Sequence, residues 1–399
     1  MSNSNLRAYR LDSIDLVRGL AVVIMAIDHV RDYFYYASTT HDPMASGSIE
    51  FDLFLTRFIT HFCAPTFVFL AGTSAGLMAS RKSKHELAQF LVKRGFWLIF
   101  VEAVIISTAW SFSPFGTPEL GGSVLVIMQV IWAIGASMVI LGLLQYLPIN
   151  TVLAISILII VGHNSLDGIW PIAANGGFAS APLWVSLHTP SSLVFESFHI
   201  LFSYPLLPWI GVMALGFSSA RLFTLEPEQR KRYLLTLGVS LCIAFLILRG
   251  FNSYGDPIAW ALNTDSWLQT SMNFMNVSKY PPSLLYLCIT LGPCFILLAL
   301  AEGRTGKLAQ VLTTFGRTPF LFYVAHLYLI HLLAMLTGIA LGFDAMKMKG
   351  AFIFYPEGWG FNLPVVYLIW VVILLMLYPI CAWFANIKKT RKDWWLSYL

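Results

Sequence analysis

Apolar runs of about 20 residues recur along the chain from residue 14 to residue 385, separated by short polar breaks. A run of that length crosses the ~30 Å hydrocarbon core of a bilayer as a helix. The runs lack the alternation typical of membrane β-barrel strands. The pattern therefore predicts an all-α polytopic bundle of about ten transmembrane helices. The predicted spans are residues 14–36, 54–79, 89–111, 122–146, 151–166, 202–223, 233–250, 283–301, 317–342 and 362–386.

Residues 1–399 are predicted to form a single domain, because no polar stretch is long enough to build a core of its own. Arg18, Asp28 and His29 interrupt the first apolar span and no small-residue cleavage site follows it, so the span is predicted to stay as a membrane anchor. Four polar segments are long enough to shape a pocket at one face of the bundle. They are residues 37–53, 112–121, 167–201 and 251–282, of which 167–201 is predicted to form turns or a short interfacial helix.

Composition and charge narrow the class of protein. Of the 399 residues, 57% are hydrophobic and 11% are charged, which excludes a water-soluble globular domain. Lys and Arg gather in alternate connecting segments, so the positive-inside rule places both termini in the cytoplasm. The net charge of +5 reflects these segments and predicts no nucleic-acid partner. The five cysteines lie in or beside apolar spans without metal-ligand spacing, so neither a disulfide framework nor a metal site is predicted.

The densest group of ionisable residues within a span lies in the first predicted helix. Asp28, His29, Arg31 and Asp32 come together near its end, and an ionisable group inside a bilayer costs about 2.5–3.5 kcal/mol on an insertion scale. A carboxylate beside a histidine can fix its tautomer and raise its basicity, as a general base requires. The segment is therefore predicted to be catalytic. The alternative is that Arg31 and Asp32 face the interface while Asp28 and His29 pair structurally with a neighbouring helix.

The second and ninth predicted helices add three candidates. Arg57 and His61 lie one helical turn apart and can face the Asp28-His29 segment. The alternative is that Arg57 reaches out to the interface and His61 is a satisfied histidine of the bundle. His326, in the ninth predicted helix, is a further candidate, although a lone histidine there is more often structural.

Arginines near the opposite ends of these helices indicate an anion site. Arg18 and Arg317 lie within spans, and Arg94 lies near the start of the third span. Guanidinium groups can fork onto phosphates, so these three residues are predicted to bind them. The alternative, that the cations only obey the positive-inside rule, applies more to Lys93 than to Arg18 and Arg317.

Several stretches of the chain resemble a known family. They are residues 12–21 (DSIDLVRGLA), 60–65 (THFCAP), 69–72 (FLAG), 204–205 (YP), 208–212 (PWIGV) and 279–283 (KYPPS). These stretches are similar to bacterial relatives of the lysosomal heparan-α-glucosaminide N-acetyltransferase, within a broader superfamily of transmembrane acyltransferases. The resemblance runs from about residue 11 to residue 331 and implies a multi-pass protein of a bacterial inner membrane.

The resemblance implies a reaction across the membrane. Acetyl-CoA would bind from the cytoplasm as acyl donor, and the acetyl group would reach an amino or hydroxyl group of a sugar-like acceptor on the periplasmic side. The lysosomal enzyme has a key asparagine in its first helix, where this chain has His29. Its catalytic histidine follows in the next loop, where His41 is the nearest match, and His29 and His61 are the alternatives for that role.

The predicted function is thus an acyl-CoA-dependent acetyltransferase within the bilayer. His29 or His61, oriented by Asp28, would remove a proton from the acceptor, while Arg57 or a tyrosine stabilises the oxyanion. Direct transfer and a covalent acyl-histidine intermediate both fit the sequence. The residues predicted to bind the acceptor, with an interfacial belt as the alternative for the loop members, are Asp32, Arg249, Asn252, Asp256, Lys279, Tyr280 and His326.

A proton-coupled transporter or exporter is the main alternative function. Asp28, His29, Glu102 and the histidines of the ninth predicted helix could form a proton relay. A membrane scaffold without catalysis is a third hypothesis. The expected partners are the lipid bilayer, acyl-CoA and a small-molecule or glycan acceptor, and a homo-oligomer is compatible with the sequence.

Overall fold

The protein was analysed as a computed structural model, which describes residues 12–38, 50–167, 182–391 and 393–397. It is mostly helical, as predicted. The helices are α1 Asp12–Phe34, α2 Phe51–Thr60, α3 Cys63–Ala79, α4 Lys84–Phe100, α5 Ser107–Ser111, α6 Val130–Leu144, α7 Ile149–Gly162, α8 Pro182–Leu187, α9 Leu206–Ser219, α10 Pro227–Phe251, α11 Trp267–Met275, α12 Leu284–Ala301, α13 Lys307–Arg317, α14 Pro319–Ala340, α15 Ala345–Lys349 and α16 Leu363–Thr390. The strands are β1 Val124–Met128, β2 Ser191–Val194 and β3 Phe198–Phe202.

Within the described residues, seven helical segments are long and apolar enough to cross a membrane. They are Phe51–Ala79, Ile149–Leu166, Leu206–Thr224, Pro227–Phe251, Leu284–Ala301, Pro319–Ala340 and Leu363–Thr390. The chain is therefore a multi-pass membrane protein, as predicted. Each of the ten predicted spans contains a helix, and the crossings by α1, α4 and α6 stay predictions.

Helix α1 lies at the centre of the bundle, in contact with α2, α3, α12, α13, α14 and α16. Its charged residues are largely buried, with Asp28 7% exposed and Arg31 3% exposed. Because other helices surround α1, these charges face protein groups instead of lipid, which is where ionisable groups within a membrane are tolerated.

A three-stranded sheet corrects two predictions. Residues 124–128 form β1, so the helix predicted over 122–146 begins only at Val130. Gln129, between the strand and the helix, has a non-helical backbone with φ −113° and ψ −141°. Residues 191–194 and 198–202 form β2 and β3 after the short helix α8, whereas segment 167–201 was predicted as turns or a short interfacial helix and residue 202 as the start of a span. β3 is the central strand, parallel to β1 and antiparallel to β2. The errors arise because a short apolar run does not distinguish a buried strand from a helix by its periodicity.

The described chain begins and ends at one end of the bundle, here called the lower end. The Arg317 Nη2 atom is 3.1 Å from the Asp12 carboxylate at the start of α1, and Lys388 Nζ near the end of α16 donates to the Arg317 carbonyl at 3.3 Å. The opposite end, where α1 finishes, is called the upper end. That the lower end is cytoplasmic stays a prediction.

Two glycines bring α13 against α1. A Cβ atom at Gly19 would meet the backbone oxygen of Leu312, and a Cβ atom at Gly316 would meet the backbone oxygen of Asp15. Backbone atoms cannot move aside as a flexible side chain can. The close approach therefore requires glycine at both positions, and it fixes Arg317 at the lower end of the bundle.

Gly316→Ala is expected to destabilise the protein by about 1–3 kcal/mol or more, because the added methyl group forces α13 away from α1. Thermal unfolding in detergent measures the effect as a lower melting temperature. Gly250→Ala is the matched control, since that helical glycine has open space where its Cβ would lie. Equal melting temperatures for the two variants would contradict the packing argument.

Candidate active site

A cavity of about 390 Å³, called the upper cavity, lies beside the last turns of α1. Side chains from α1, α2, α14 and the segment before α12 form its walls, and Ser191, Leu201 and Phe202 of the sheet close it. The small sheet that the sequence did not predict is therefore part of the site. The polar and charged residues that line the cavity are Asp28, His29, Asp32, Arg57, Thr60, Gln129, Ser191, Ser203, Tyr204, Lys279, Tyr280 and Tyr323.

Asp28 is the centre of a charge cluster at this cavity. Its Oδ2 atom accepts from Arg57 Nη1 at 2.6 Å and its Oδ1 atom accepts from Thr60 Oγ1 at 2.8 Å. Arg31 Nη1 is 3.0 Å away and Lys279 Nζ is 3.7 Å away. These partners come from α1, α2 and the segment before α12, so the cluster ties three parts of the chain together.

His29 is adjacent to Asp28 in sequence but faces a different carboxylate. Asp32 Oδ2 is 3.8 Å from His29 Nδ1, beyond hydrogen-bond distance. The Nδ1 atom is buried, and no hydrogen-bond partner for it occurs in the part of the chain that the structure describes. Arg57, Thr60 and Arg31 already contact the carboxylate oxygens of Asp28. The carboxylate beside the His29 Nδ1 atom is therefore that of Asp32.

An aromatic wall surrounds the His29 ring. Trp110 lies edge-on with 5.2 Å between ring centroids, Tyr323 lies at 6.4 Å and His326 at 5.1 Å. His326 does not line the cavity, and its Nδ1 atom faces the Phe322 carbonyl at 3.0 Å. Because a carbonyl only accepts, a neutral His326 carries its proton on Nδ1. His326, which was predicted to bind the acceptor, thus contacts the His29 ring but is not itself part of the cavity lining.

Of the other two predicted catalytic histidines, His61 is described by the structure and does not line the cavity. His61 is 2% exposed, and its ring packs against Tyr286 with centroids 5.3 Å apart. The Tyr286 hydroxyl donates to the His61 carbonyl at 2.8 Å. His41 lies outside the described residues. Among the histidines that the structure describes, His29 is therefore the one that lines the upper cavity.

Lys279 and Tyr280 reach the cavity from the segment before α12, as the prediction of acceptor contacts requires. Tyr280 packs edge-on against Tyr204 with ring centroids 5.5 Å apart. Burial raises the pKa of Tyr280, but the positive charges of Lys279 and Arg57 outweigh it and leave the pKa below its usual value. This loop thus brings a cation and a comparatively acidic phenol to the site.

Arg249, Asn252 and Asp256, also predicted to bind the acceptor, lie outside the upper-cavity lining. Arg249 is 1% exposed and donates to the carbonyls of Phe274, Ile258, Asn273 and Asn276. Asn252 bonds to the Trp260 backbone, and Asp256 accepts from Ser278 and Ser283. These three residues hold the 251–283 segment in place, so they position Lys279 and Tyr280.

A second cavity of about 340 Å³, called the lower cavity, lies below the first. Arg18, Arg94, Arg317 and Lys388 line it, and none of its described lining residues is acidic. Arg18 also bonds to Asp15 at 3.1 Å and to Ser74 at 3.2 Å. The three arginines predicted to bind phosphates are therefore gathered at one cavity, to which Lys388 adds a cation that the sequence analysis did not identify.

The two cavities meet inside the bundle. Met25, Phe67, Val130 and Tyr323 belong to the lining of both, and these four residues are called the boundary. Arg18 and His29 lie on α1 on either side of Met25, separated by about 16 Å of helix rise. The two cavities are therefore neighbours along α1, with the cations of the lower cavity on one side of Met25 and His29 on the other. Among the described residues, no group of three or more His, Cys, Asp or Glu side chains is placed to hold a metal ion.

Residues 10–253 match the model of a protein family described as heparan-alpha-glucosaminide N-acetyltransferase, catalytic. The matched range covers more than half of the chain and contains α1, α2 and the sheet. Lys279, Arg317 and Tyr323 lie beyond it. A comparison with curated proteins finds no match to the chain.

Proposed function

We propose that the chain, which belongs to the heparan-alpha-glucosaminide N-acetyltransferase catalytic family, moves an acetyl group from acetyl-CoA to an acceptor across the membrane. The observation that carries this proposal is the pair of cavities that meet at Met25, Phe67, Val130 and Tyr323. One cavity is cationic, the other is polar and holds a histidine. Such a pair suits a donor and an acceptor that approach from opposite sides.

The lower cavity is the proposed donor site. Arg18, Arg94, Arg317 and Lys388 supply positive charge for the phosphates of CoA, and arginine forks are suited to them. The proposal places the lower end in the cytoplasm of a bacterial inner membrane, because the positive-inside rule and the supply of acetyl-CoA both favour that side. The upper cavity then opens toward the periplasm.

The upper cavity is the proposed acceptor site. Its lining combines charged groups, hydroxyls and aromatic rings, which suits a sugar-like molecule with an amino or hydroxyl group. Asp32, Lys279 and Tyr280 are the proposed acceptor contacts. Arg57 is paired with Asp28, so it holds the cluster in shape.

His29 is the proposed general base. As the acceptor nitrogen or oxygen attacks the thioester carbon, His29 takes its proton; when the carbon–sulfur bond breaks, the thiolate recovers that proton and leaves as CoA thiol. The neutral histidine is restored in each cycle. The proposal takes direct transfer over an acyl-histidine intermediate, because direct transfer needs one base and His29 is the one described histidine that lines either cavity.

The test uses the purified protein in proteoliposomes, with labelled acetyl-CoA outside and a panel of amino sugars inside. We expect binding of CoA, release of CoA thiol that depends on the acceptor, and label on the enclosed sugar. Absence of CoA binding overturns the proposal. Counterflow of a solute without any dependence on CoA would instead support the transporter hypothesis.

Arg94→Gln is expected to weaken CoA binding about tenfold or more, because a hydrogen bond to a charged group contributes about 1.5–3 kcal/mol. Titration of the purified protein with CoA measures the dissociation constant. Lys93→Gln is the matched control, since Lys93 is the adjacent cation but is exposed and outside the cavity lining. Equal losses for both variants would show that only general surface charge matters.

A further inference from the structure

The boundary between the two cavities has one polar group. Of its four residues, Met25, Phe67 and Val130 are apolar, and only Tyr323 carries a hydroxyl. The thioester must lie at this point if the donor is held below and the acceptor above. Among the four boundary side chains, the Tyr323 hydroxyl is therefore the polar group that a thioester would contact.

The Tyr323 hydroxyl has no hydrogen-bond partner among the described residues. The side chain is 4% exposed and the oxygen is buried. A buried hydroxyl without a partner costs about 1–3 kcal/mol, and such groups are rare in folded proteins. A ligand that supplies an acceptor oxygen at the boundary would remove this cost.

Several other polar groups of the upper cavity already contact protein groups or lie away from the boundary. Arg57 Nη1 is held by Asp28 at 2.6 Å, and the rings of Tyr204 and Tyr280 pack against each other with centroids 5.5 Å apart. Trp110 also has a buried N–H without a partner, but Trp110 lines the upper cavity alone. Tyr323 in contrast lies at both cavities, with its ring 6.4 Å from that of the proposed base His29.

We infer that Tyr323 is a further catalytic residue, whose hydroxyl donates a hydrogen bond to the carbonyl oxygen of the bound acetyl thioester. The inference rests on the proposed function. When the acceptor attacks, the carbon–nitrogen or carbon–oxygen bond forms and the carbonyl electron pair moves to the oxygen, which Tyr323 holds. The pair then returns, the carbon–sulfur bond breaks, and the sulfur takes the proton from His29. A donor aimed at the developing oxyanion stabilises the transition state more than the ground state.

Tyr323→Phe is expected to lower kcat about 10²- to 10³-fold, with little change in the affinity for acetyl-CoA. The fold should be unaffected, because the hydroxyl that is removed has no described partner. Tyr328→Phe, on the same helix, is the matched control. The Tyr328 hydroxyl donates to the Ile105 carbonyl at 2.8 Å, so its loss should affect stability slightly and leave kcat unchanged.

The infrared carbonyl band of bound 13C-labelled acetyl-CoA can be recorded without an acceptor. It therefore tests the role of Tyr323 separately from the proposed transfer reaction. We expect the band to shift to lower frequency in the wild-type protein and in Tyr328→Phe, and to stay at its free position in Tyr323→Phe. If wild-type protein does not bind acetyl-CoA, the proposed function fails. If it binds, and the Tyr323→Phe band shifts as the wild-type band does, the function stands and the role of Tyr323 is overturned.

Discussion

Replacing His29 with alanine is expected to lower kcat for acetyl transfer by up to about 10⁴-fold, because the ring is the proposed acceptor of the proton from the attacking nucleophile. The ring lines the upper cavity and its Nδ1 atom is buried beside Asp32. The rate is followed as acceptor-dependent release of CoA thiol.

Affinity for acetyl-CoA is expected to survive His29→Ala, since His29 is not among the residues that line the lower cavity. His85→Ala is the matched control, because His85 is exposed on α4 and bonds to Gln89. We expect it to retain the wild-type rate. A near-normal rate in His29→Ala, together with a large loss in His61→Ala, would transfer the role of base to His61.

Asp28→Asn is expected to destabilise the protein by about 3–5 kcal/mol, because breaking a buried charge network leaves unpaired charge behind. Arg57, Arg31 and Lys279 all lie within 3.7 Å of the Asp28 carboxylate. With asparagine in its place, the ion pair that remains to the three cations among the described residues is that of Arg31 with Asp32 at 2.9 Å. Unfolding of the purified protein in detergent measures the loss.

A second substitution should recover part of the lost stability. Adding Arg57→Gln to Asp28→Asn removes one of the uncompensated cations and should recover part of the melting temperature. Asp265→Asn, which changes an exposed carboxylate at the same end of the bundle, is the control and should unfold as the wild-type protein does. An unchanged melting temperature in Asp28→Asn would show that the cluster does not stabilise the fold.

These two predictions give Asp28 and His29 different roles, although they are neighbours in sequence. From the sequence alone, Asp28 is predicted to be the carboxylate that orients His29. In the structure the oxygens of Asp28 bond to Arg57 and Thr60, and Asp32 lies beside His29 Nδ1. Adjacent residues of a helix point about 100° apart, whereas residues three apart share a face. The spacing of Asp32 therefore favours it over Asp28.

Arg18, Arg94 and Arg317 line one cavity. Their shared role could be predicted, because each is a cation near the same end of its span. Lys388 was not identified, since it looked like one more cation of a basic terminus. Tyr323 and Thr60 were not predicted as site residues, because uncharged side chains within an apolar helix resemble packing residues. The sheet was not predicted, because the run before Gln129 is as apolar as a transmembrane helix.

The sequence by itself determined that this is a multi-pass helical membrane protein of one acetyltransferase family, and that charged residues lie near both ends of α1. Those properties depend on local hydrophobicity, on helical spacing and on short motifs, which a linear chain displays. Only the tertiary structure decided which side chains meet: Arg57 and Lys279 at Asp28, and Met25, Phe67, Val130 and Tyr323 between two cavities. These contacts join segments far apart in the chain, so they follow from how the helices pack and cannot be read from local spacing.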